Sequence, residues 1–180
     1  MATNNSGRVS ADGCNAADVE LRLSGIATGS SGIVTDSTAR NNAGVGIKAG
    51  SSSRVTGNVA IDNKQGGFCV FSNSTVTGNT ARRNNIYGVR TGSSSTVSGN
   101  TARQNIGDGL VANSGSNVAG NTAKNNDVTG FTIHCPSLVH RNAAIDNGRN
   151  LYLITDGSRC VTSGNLTRTR KKKSRRDDDD

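Results

Sequence analysis

The tetrapeptide Val-Thr-Gly-Asn stands at residues 55–58 and again at 76–79, and close variants follow at 97–100 and 118–121. Each copy begins 21 residues after the one before it. Other positions keep the same spacing and form columns, meaning sets of residues at one position of successive repeats. The clearest columns are Ala39, Ala60, Ala81, Ala102, Ala123 and Ala144, and Gly25, Gly46, Gly67, Gly88, Gly109 and Gly130. The sequence therefore predicts a repeat protein.

The repeat unit is too short for a helical repeat, which needs about 33 residues. Each unit contains short stretches such as 68–70 (FCV) and 110–112 (LVA), whose first and third residues are apolar or small. This alternation is typical of half-buried strands, and the Gly, Ser and Asn residues between the stretches favour turns. Three strands and three turns fit in one unit. We therefore predict an all-β, right-handed parallel β-helix of about six or seven coils, stacked about 4.8 Å apart.

The composition alone would indicate a different class of protein. Only 32% of the residues are hydrophobic and 3% are aromatic, which approaches the composition of disordered chains. In a β-helix, however, small residues suffice inside because each column stacks on itself, and inward Asn amides can bond from coil to coil. Two Asn columns are predicted to form such ladders: Asn58, Asn79, Asn100, Asn121 and Asn142, and Asn42, Asn63, Asn84, Asn105, Asn126 and Asn147.

The repeat divides the chain into three parts. Residues 25–167 are predicted to form the β-helix, and 1–24 an N-terminal cap or irregular first coil. Residues 168–180 hold 7 of the 21 basic and 4 of the 13 acidic residues and are predicted to be a disordered charged tail. No specific nucleic-acid partner is expected, because the four final Asp residues oppose the basic run. No apolar run is long enough to span a membrane, and no signal peptide is visible.

The repeated unit V-T-G-N-T-A-x-x-N-x-x-x-G, followed by an apolar residue, resembles bacterial right-handed parallel β-helix proteins of the pectin-lyase-like superfamily, including NosD-like repeat proteins. The resemblance covers residues 25–166. It implies the fold specifically but leaves the activity open, since the superfamily includes polysaccharide lyases, hydrolases, epimerases and members without assigned chemistry. The end of the repeat region is similar to the last coils of secreted members.

The four cysteines lack the spacing of a zinc site, so no metal or other cofactor is predicted. Cys135 and Cys160 fall in adjacent coils near one corner, where they would form either a disulfide or two buried thiols. Cys14 and Cys69 have no evident partner in the sequence. A disulfide would fit an extracellular or cell-surface location, which is the location we expect.

One outward column is rich in cations, and we call Arg40, Arg82, Arg103 and Lys124 the basic stripe. Arg83 lies beside it. Cations at the coil spacing on a rigid face could bind an acidic polysaccharide along the axis of the helix. The alternative is a solvated face that opposes aggregation.

A second candidate site combines Tyr87 and Asp108, which share a column, with the nearby Arg90 and Phe71. A lyase or epimerase acting on a uronic acid needs a cation for the carboxylate, together with an acid and a base for the C5 proton. Arg90, Tyr87 and Asp108 could supply these roles, although no established catalytic motif is visible.

Three functions follow from these features. The first is a non-catalytic structural or glycan-binding module of a secreted bacterial protein, with acidic polysaccharide as its partner. The alternative is a polysaccharide lyase or epimerase. An ice-binding role is the third, because Thr35, Thr56, Thr77 and Ser98 form one column and Thr38, Thr80, Thr101 and Thr122 another. Val59 and Ala119 interrupt these arrays, and β-propensity also explains the Thr residues.

Overall fold

The computed structural model describes residues 23–169, which form 21 short strands. In chain order these are β1 (Ile26–Thr28), β2 (Ile33–Thr35), β3 (Thr38–Arg40), β4 (Ile47–Ala49), β5 (Arg54–Thr56), β6 (Val59–Ile61), β7 (Gly66–Val70), β8 (Thr75–Thr77), β9 (Thr80–Arg82), β10 (Tyr87–Thr91), β11 (Thr96–Ser98), β12 (Thr101–Arg103), β13 (Asp108–Ala112), β14 (Asn117–Ala119), β15 (Thr122–Lys124), β16 (Thr129–His134), β17 (Leu138–His140), β18 (Ala143–Ile145), β19 (Arg149–Ile154), β20 (Val161–Ser163) and β21 (Leu166–Arg168).

The strands assemble into three parallel sheets of seven strands each, and every coil contributes one strand to each sheet. Sheet 1 takes β1 and every third strand after it, sheet 2 begins with β2, and sheet 3 begins with β3. Strands of neighbouring coils pair 21 residues apart, as Val97 does with Val76 and Val118. The predicted all-β solenoid of about seven coils is confirmed.

The last coil departs from this spacing. The apolar residues that follow the Gly column, such as Leu110 and Phe131, predict Leu151 as the next member after a one-residue slip, and Phe131 pairs with Leu151. The column of Val97, Val118 and Val139 predicts Val161, 22 residues further on, as its next member. This prediction is wrong, because Val139 pairs with Thr162. Val161 lies outward and is 65% exposed. The coil is longer than the others between β19 and β20, so the register in sheet 2 shifts by two residues.

The interior is a narrow column of small and apolar side chains. The three-residue strands of sheets 2 and 3 turn their central residue inward, which stacks Val in sheet 2 and Ala in sheet 3. The strands of sheet 1, most of which have five or six residues, turn two residues inward, and these include the largest core side chains, Phe68 and Phe131. Sheet 1 therefore carries the bulky residues of the core.

Both predicted Asn ladders are present at corners of the coil. In one of them, the backbone N and the Nδ2 of Asn79 donate to the Oδ1 of Asn100 at 2.9 and 3.0 Å. The same Nδ2 donates to the carbonyl of Val55 at 2.8 Å. Each buried amide is thus bonded on both sides, which satisfies polar groups that water cannot reach.

The third corner has a serine ladder that the sequence analysis missed. Backbone N–H groups donate to the hydroxyl of the next coil, as Ser53 does to Ser74 at 3.0 Å. The members are Ser53, Ser74, Ser95, Ser116 and Ser137. They recur every 21 residues, and this spacing was the signal that could have identified them.

Cys135 and Cys160 form a disulfide with a Cα–Cα distance of 4.9 Å, which is the first of the two predicted alternatives. Cys69 is also disulfide-bonded, so the expectation that it has no partner is wrong. Cys14 lies outside the described residues. The cap predicted for 1–24 and the tail predicted for 168–180 also lie almost wholly outside them.

Candidate functional site

The basic stripe lies on the outward face of sheet 3, where the third residue of each strand points to solvent. Arg82 pairs with Arg103, and Arg103 pairs with Lys124, so three cations follow one another in adjacent coils. Arg103 and Lys124 are exposed, whereas Arg82 is half-buried. Arg40 is exposed but separated from the other three by Ile61. The stripe is therefore a continuous row over three coils with one outlying cation.

A column of threonines runs beside the stripe on the same face. Thr80, Thr101 and Thr122 open the strands that end in the three cations. They pair in register, and each is half-buried. The face therefore presents a row of hydroxyl groups alongside a row of positive charges.

Arg83, which the sequence places beside the stripe, is held by a carboxylate. Its Nε and Nη2 donate to the two carboxylate oxygens of Asp62, both at 2.7 Å. This hydrogen bond lowers the pKa of Asp62, with further Coulombic contributions from Arg83 and Arg40. The same hydrogen bond raises the pKa of Arg83. Arg83 is thus occupied by a neighbour from the preceding coil.

The three continuous cations lack such a partner among residues 23–169. Within that part of the chain, the ion pair found is the one between Arg83 and Asp62. The Nε of Arg82 is buried and has no hydrogen-bond partner there either. Cations stacked at the coil spacing repel one another, by about 1 kcal/mol at 4 Å in water. A bound anion would relieve this repulsion.

The second predicted cluster lies on the outward face of sheet 1. Tyr87 pairs in register with Asp108, as predicted from their shared column. The guanidinium of Arg90 lies 5.1 Å from the centre of the Tyr87 ring. Tyr87 is only 5% exposed, and it packs in a small cluster with Val45, Cys69 and Phe71.

The carboxylate of Asp108 is engaged by the next coil. Its Oδ1 accepts a hydrogen bond from the backbone N of Thr129 at 3.0 Å, and its Oδ2 accepts one from the Thr132 hydroxyl at 3.4 Å. Asp108 also lines an open cleft of about 570 Å³, together with Arg149 and Tyr152. The structure therefore brings Tyr87, Arg90 and Asp108 together. However, Tyr87 is packed against its neighbours, and Asp108 already accepts hydrogen bonds.

Two further cation–aromatic pairs occur on this face, and sequence reasoning did not find them. The Lys48 ammonium lies 6.0 Å from the Phe71 ring, and the Arg149 guanidinium lies 4.7 Å from the Tyr152 ring. Lys48 pairs in register with Cys69, which pairs with Arg90. The 21-residue spacing of Lys48, Cys69 and Arg90 was the sequence signal that could have identified this column. The described residues contain no group of three or more His, Cys, Asp or Glu side chains placed to hold a metal ion.

A solenoid of three parallel sheets with stacked corner ladders defines the class of parallel β-helix proteins. The protein-family model that describes the right-handed β-helix region matches this chain at residues 1–102 and 24–167. The chain therefore belongs to the right-handed β-helix family, which confirms the resemblance seen in the sequence. No curated protein matches it. Residues 23–169 contain no helix long and apolar enough to cross a membrane.

Solved structures with the same fold include the periplasmic alginate epimerase AlgG. That structure is 17% identical, with a TM-score of 0.67, and the match covers 80% of this chain and 42% of the epimerase. A double mutant of AlgG is 16% identical, with a TM-score of 0.63 and 82% and 48% coverage. A single mutant is 16% identical, with a TM-score of 0.60 and 81% and 47% coverage. The chain thus spans less than half the length of these structures, and the likeness shows the fold alone.

Proposed function

We propose that this chain is a non-catalytic β-helix module that binds acidic polysaccharide along the basic stripe. The observation that supports this most directly is the row of Arg82, Arg103 and Lys124. These three cations lie in register on adjacent coils, and no described carboxylate forms an ion pair with any of them.

The geometry of the row suits a linear polyanion. Successive coils are about 4.8 Å apart, and a polyuronate carries one carboxylate on every sugar. A chain lying along the helix axis would present carboxylates to several cations at once. Charge-assisted hydrogen bonds from Arg are the strongest polar contacts available for this purpose.

The threonine column extends the same surface toward a sugar ligand. Thr80, Thr101 and Thr122 carry hydroxyl groups that both donate and accept hydrogen bonds. Sugar hydroxyls have the same capacity. The cations would supply attraction to the carboxylates, and the threonines would supply contacts to the neutral part of each sugar.

The structural comparison supports this ligand class. The similar structures belong to a periplasmic alginate epimerase, and alginate is a polymer of uronic acids. The Cys135–Cys160 disulfide supports an extracytoplasmic location, because disulfides persist in oxidising compartments. Within that range we propose an extracellular or cell-surface protein, where such polymers occur.

The packing of Tyr87 and Asp108 on sheet 1 favours a binding function over a lyase or epimerase activity. Tyr87 is buried, and Asp108 already accepts hydrogen bonds from the next coil. A general acid or base must reach the sugar C5 position, which this packing opposes. A lyase would be recognised by ultraviolet absorbance of the unsaturated product from alginate or polygalacturonate, and an epimerase by proton exchange at C5. We expect neither.

Ice binding is disfavoured by the placement of the threonines. Thr35, Thr56 and Thr77 end strands of sheet 2, whereas Thr80 and Thr101 open strands of sheet 3. The two columns therefore lie on different sheets and do not form one flat array.

The binding proposal is tested by charge reversal. In isothermal titration with alginate and polygalacturonate, the variant Arg103→Glu/Lys124→Glu should bind at least tenfold more weakly, because charge-assisted hydrogen bonds contribute about 1.5–3 kcal/mol each. The matched control is Arg54→Glu/Lys64→Glu, which changes the net charge equally at two exposed cations outside the stripe. The control should keep most of the affinity.

Neutral dextran should not bind to either variant or to the unchanged protein. Equal losses in the two double variants would show that only net charge matters and would overturn the assignment of the stripe. Absence of binding to both polyuronates would overturn the proposed ligand class.

A further inference from the structure

The outward face of sheet 3 is polar in its three middle coils and apolar in the coil on either side of them. Each of the middle strands, β9, β12 and β15, begins with a threonine and ends with a cation. In β6, which pairs with β9, the same two positions hold Val59 and Ile61. In β18, which pairs with β15, they hold Ala143 and Ile145. The polar residues therefore form a patch of fixed length, and we call it the three-coil patch: Thr80, Thr101, Thr122, Arg82, Arg103 and Lys124.

The residue that follows each of these strands shows the same division. Asp62 follows β6 and Asp146 follows β18, whereas Arg83, Gln104 and Asn125 follow the three middle strands. All five residues have a φ between 54° and 57°, so their side chains leave equivalent turns in the same direction. A carboxylate repels the carboxylates of a polyuronate. The two coils that carry aliphatic residues thus also carry the acidic ones, and neither favours an anionic ligand.

The next cations along the face lie beyond these two coils. Arg40 pairs with Ile61 at one end, and Arg168 pairs with Ile145 at the other. The separation of neighbouring cations therefore doubles at each end of the patch, from about 4.8 to about 10 Å. A uronate placed over Ile61 or Ile145 would lose water from its carboxylate and gain no ion pair in return.

We infer that the three-coil patch binds a stretch of three consecutive uronate sugars, and that the aliphatic coils on either side end the site. The inference rests on the proposed polysaccharide binding and adds the length of ligand that the site recognises. The coil spacing of about 4.8 Å is close to the length of one sugar ring with its linkage. Each of the three cations would then meet one carboxylate, and each threonine would lie beside one sugar.

A bounded patch selects a particular kind of polymer. Three acidic sugars in a row would fill it, and further acidic sugars would contact no additional cation. A neutral or esterified sugar within the three would leave one cation without a carboxylate. The site would therefore recognise short acidic blocks within a mixed polysaccharide, and one polymer chain could carry several copies of this protein.

The length of the site is tested by isothermal titration of the full chain with galacturonate oligomers of two to six sugars. From the dimer to the trimer the affinity should rise about tenfold or more, because a third carboxylate adds charge-assisted hydrogen bonds. From the trimer to the hexamer it should rise less than about fivefold, because the extra sugars add positions of binding but no new contact.

The outcomes separate this inference from the proposed function. An affinity that keeps rising about tenfold with each sugar from trimer to hexamer would overturn the boundaries and leave polysaccharide binding intact. Binding of polygalacturonate without binding of any oligomer would also overturn a three-sugar site. Absence of binding to polygalacturonate and to every oligomer would overturn the proposed function itself, and this inference with it.

A substitution at the boundary tests the same point by lengthening the row. Ile61→Arg joins Arg40 to the patch and gives five consecutive cations, and the position suits arginine because both neighbouring coils hold one there. We expect the affinity for the pentamer to rise about tenfold while that for the trimer changes little. Ile145→Arg, which joins Arg168 at the other end, should have the same effect.

The matched control is Ile33→Arg, which adds the same charge at an isoleucine of sheet 2 that is 72% exposed. The control should leave the affinities for trimer and pentamer nearly equal, as in the unchanged protein. Circular dichroism checks that all three variants keep the fold. If folded Ile61→Arg and Ile145→Arg bind the pentamer no better than the control does, the aliphatic coils do not end the site and the inference is overturned.

Discussion

Replacing Asn100 by alanine tests how much one ladder amide stabilises the solenoid. The Oδ1 of Asn100 accepts hydrogen bonds from the N and the Nδ2 of Asn79. Its Nδ2 donates to the carbonyl of Val76 at 2.8 Å and to the Oδ1 of Asn121 at 3.0 Å. Asn100 is 1% exposed, so water does not reach these groups. The substitution Asn100→Ala removes all four hydrogen bonds at once.

The expected loss follows from what each partner retains. The backbone N–H of Asn79 loses its acceptor entirely, and a buried unsatisfied donor costs about 1–3 kcal/mol. The Nδ2 of Asn79 still donates to Val55, and the Oδ1 of Asn121 still accepts from the backbone N of Asn100. The remaining three losses are therefore about 0.5–1.5 kcal/mol each. We expect Asn100→Ala to lower the free energy of unfolding by about 3–6 kcal/mol.

Two other asparagines provide controls for urea denaturation followed by circular dichroism. Asn165, at the open end of the same ladder, accepts from the N and the Nδ2 of Asn142 and donates to Val139, but it is only half-buried. Water can replace these bonds, so Asn165→Ala should cost less than half as much as Asn100→Ala. Asn85 is exposed, and Asn85→Ala should change stability by less than about 0.5 kcal/mol.

The comparison refutes the reasoning if Asn100→Ala costs no more than Asn85→Ala. Equal losses at Asn100 and Asn165 would also count against it, because the argument depends on the exclusion of water from the middle of the ladder.

Three further predictions concern other parts of the solenoid. Cys135→Ser/Cys160→Ser should lower the free energy of unfolding by about 3 kcal/mol in chemical denaturation, since the bridge closes a 25-residue loop; a change below 1 kcal/mol would argue against the entropic account. Gly88→Ala should cost about 1–3 kcal/mol or more, because its Cβ would lie 2.5 Å from a carbonyl oxygen of the next coil. Gly29→Ala, with nothing within 4 Å, should be nearly neutral in the same assay. The Asp62 carboxyl should titrate by NMR below the ordinary pKa of 3.8, because its ion pair with Arg83 lowers its pKa. The small contribution of this ion pair to stability is complete above pH 3.8 and disappears as the pH falls through the lowered pKa. Asp62→Asn should remove this acid dependence.

The fold could be predicted from the sequence because a β-helix repeats its environment at every coil. A residue at one position contacts the equivalent residues 21 positions before and after it in the chain. All members of a column therefore have to satisfy the same physical requirement. The Gly88 column shows this, because a Cβ there would collide with the backbone of the next coil and with the Asn105 amide. The Asn100 column records the ladder in the same way. Local periodicity was therefore sufficient for the fold.

Departures from the period were harder to predict. Val161 matches the Val column by residue type and approximate spacing, but the longer final coil turns it outward. The serine ladder at Ser74 and its equivalents went unnoticed, because Ser also occurs in many turns of this chain. In both cases residue type was ambiguous, and only the register of the coil resolved it.

The sequence predicted which residues of the candidate sites share a column, but not whether their side chains are exposed or already bonded to neighbours. The shared columns of Tyr87 with Asp108, and of Arg103 with Lys124, follow from the 21-residue spacing and are present in the structure. The spacing could not show that Tyr87 and Lys48 are buried or that Asp62 forms an ion pair with Arg83. These properties depend on side-chain conformations and on contacts between columns, which have no period in the sequence.

By itself, the sequence determined the coil length, the sheet each residue joins and the polar ladders at two corners, because stacking in a solenoid is a nearest-neighbour interaction repeated at a constant spacing. The tertiary structure decided which of the outward side chains remain available. Exposure is set by everything that packs against a face, and it differs between outward columns, as the burial of Lys48 and Cys69 on sheet 1 shows. This difference separates the exposed Arg103 and Lys124 of sheet 3 from the buried Lys48 of sheet 1.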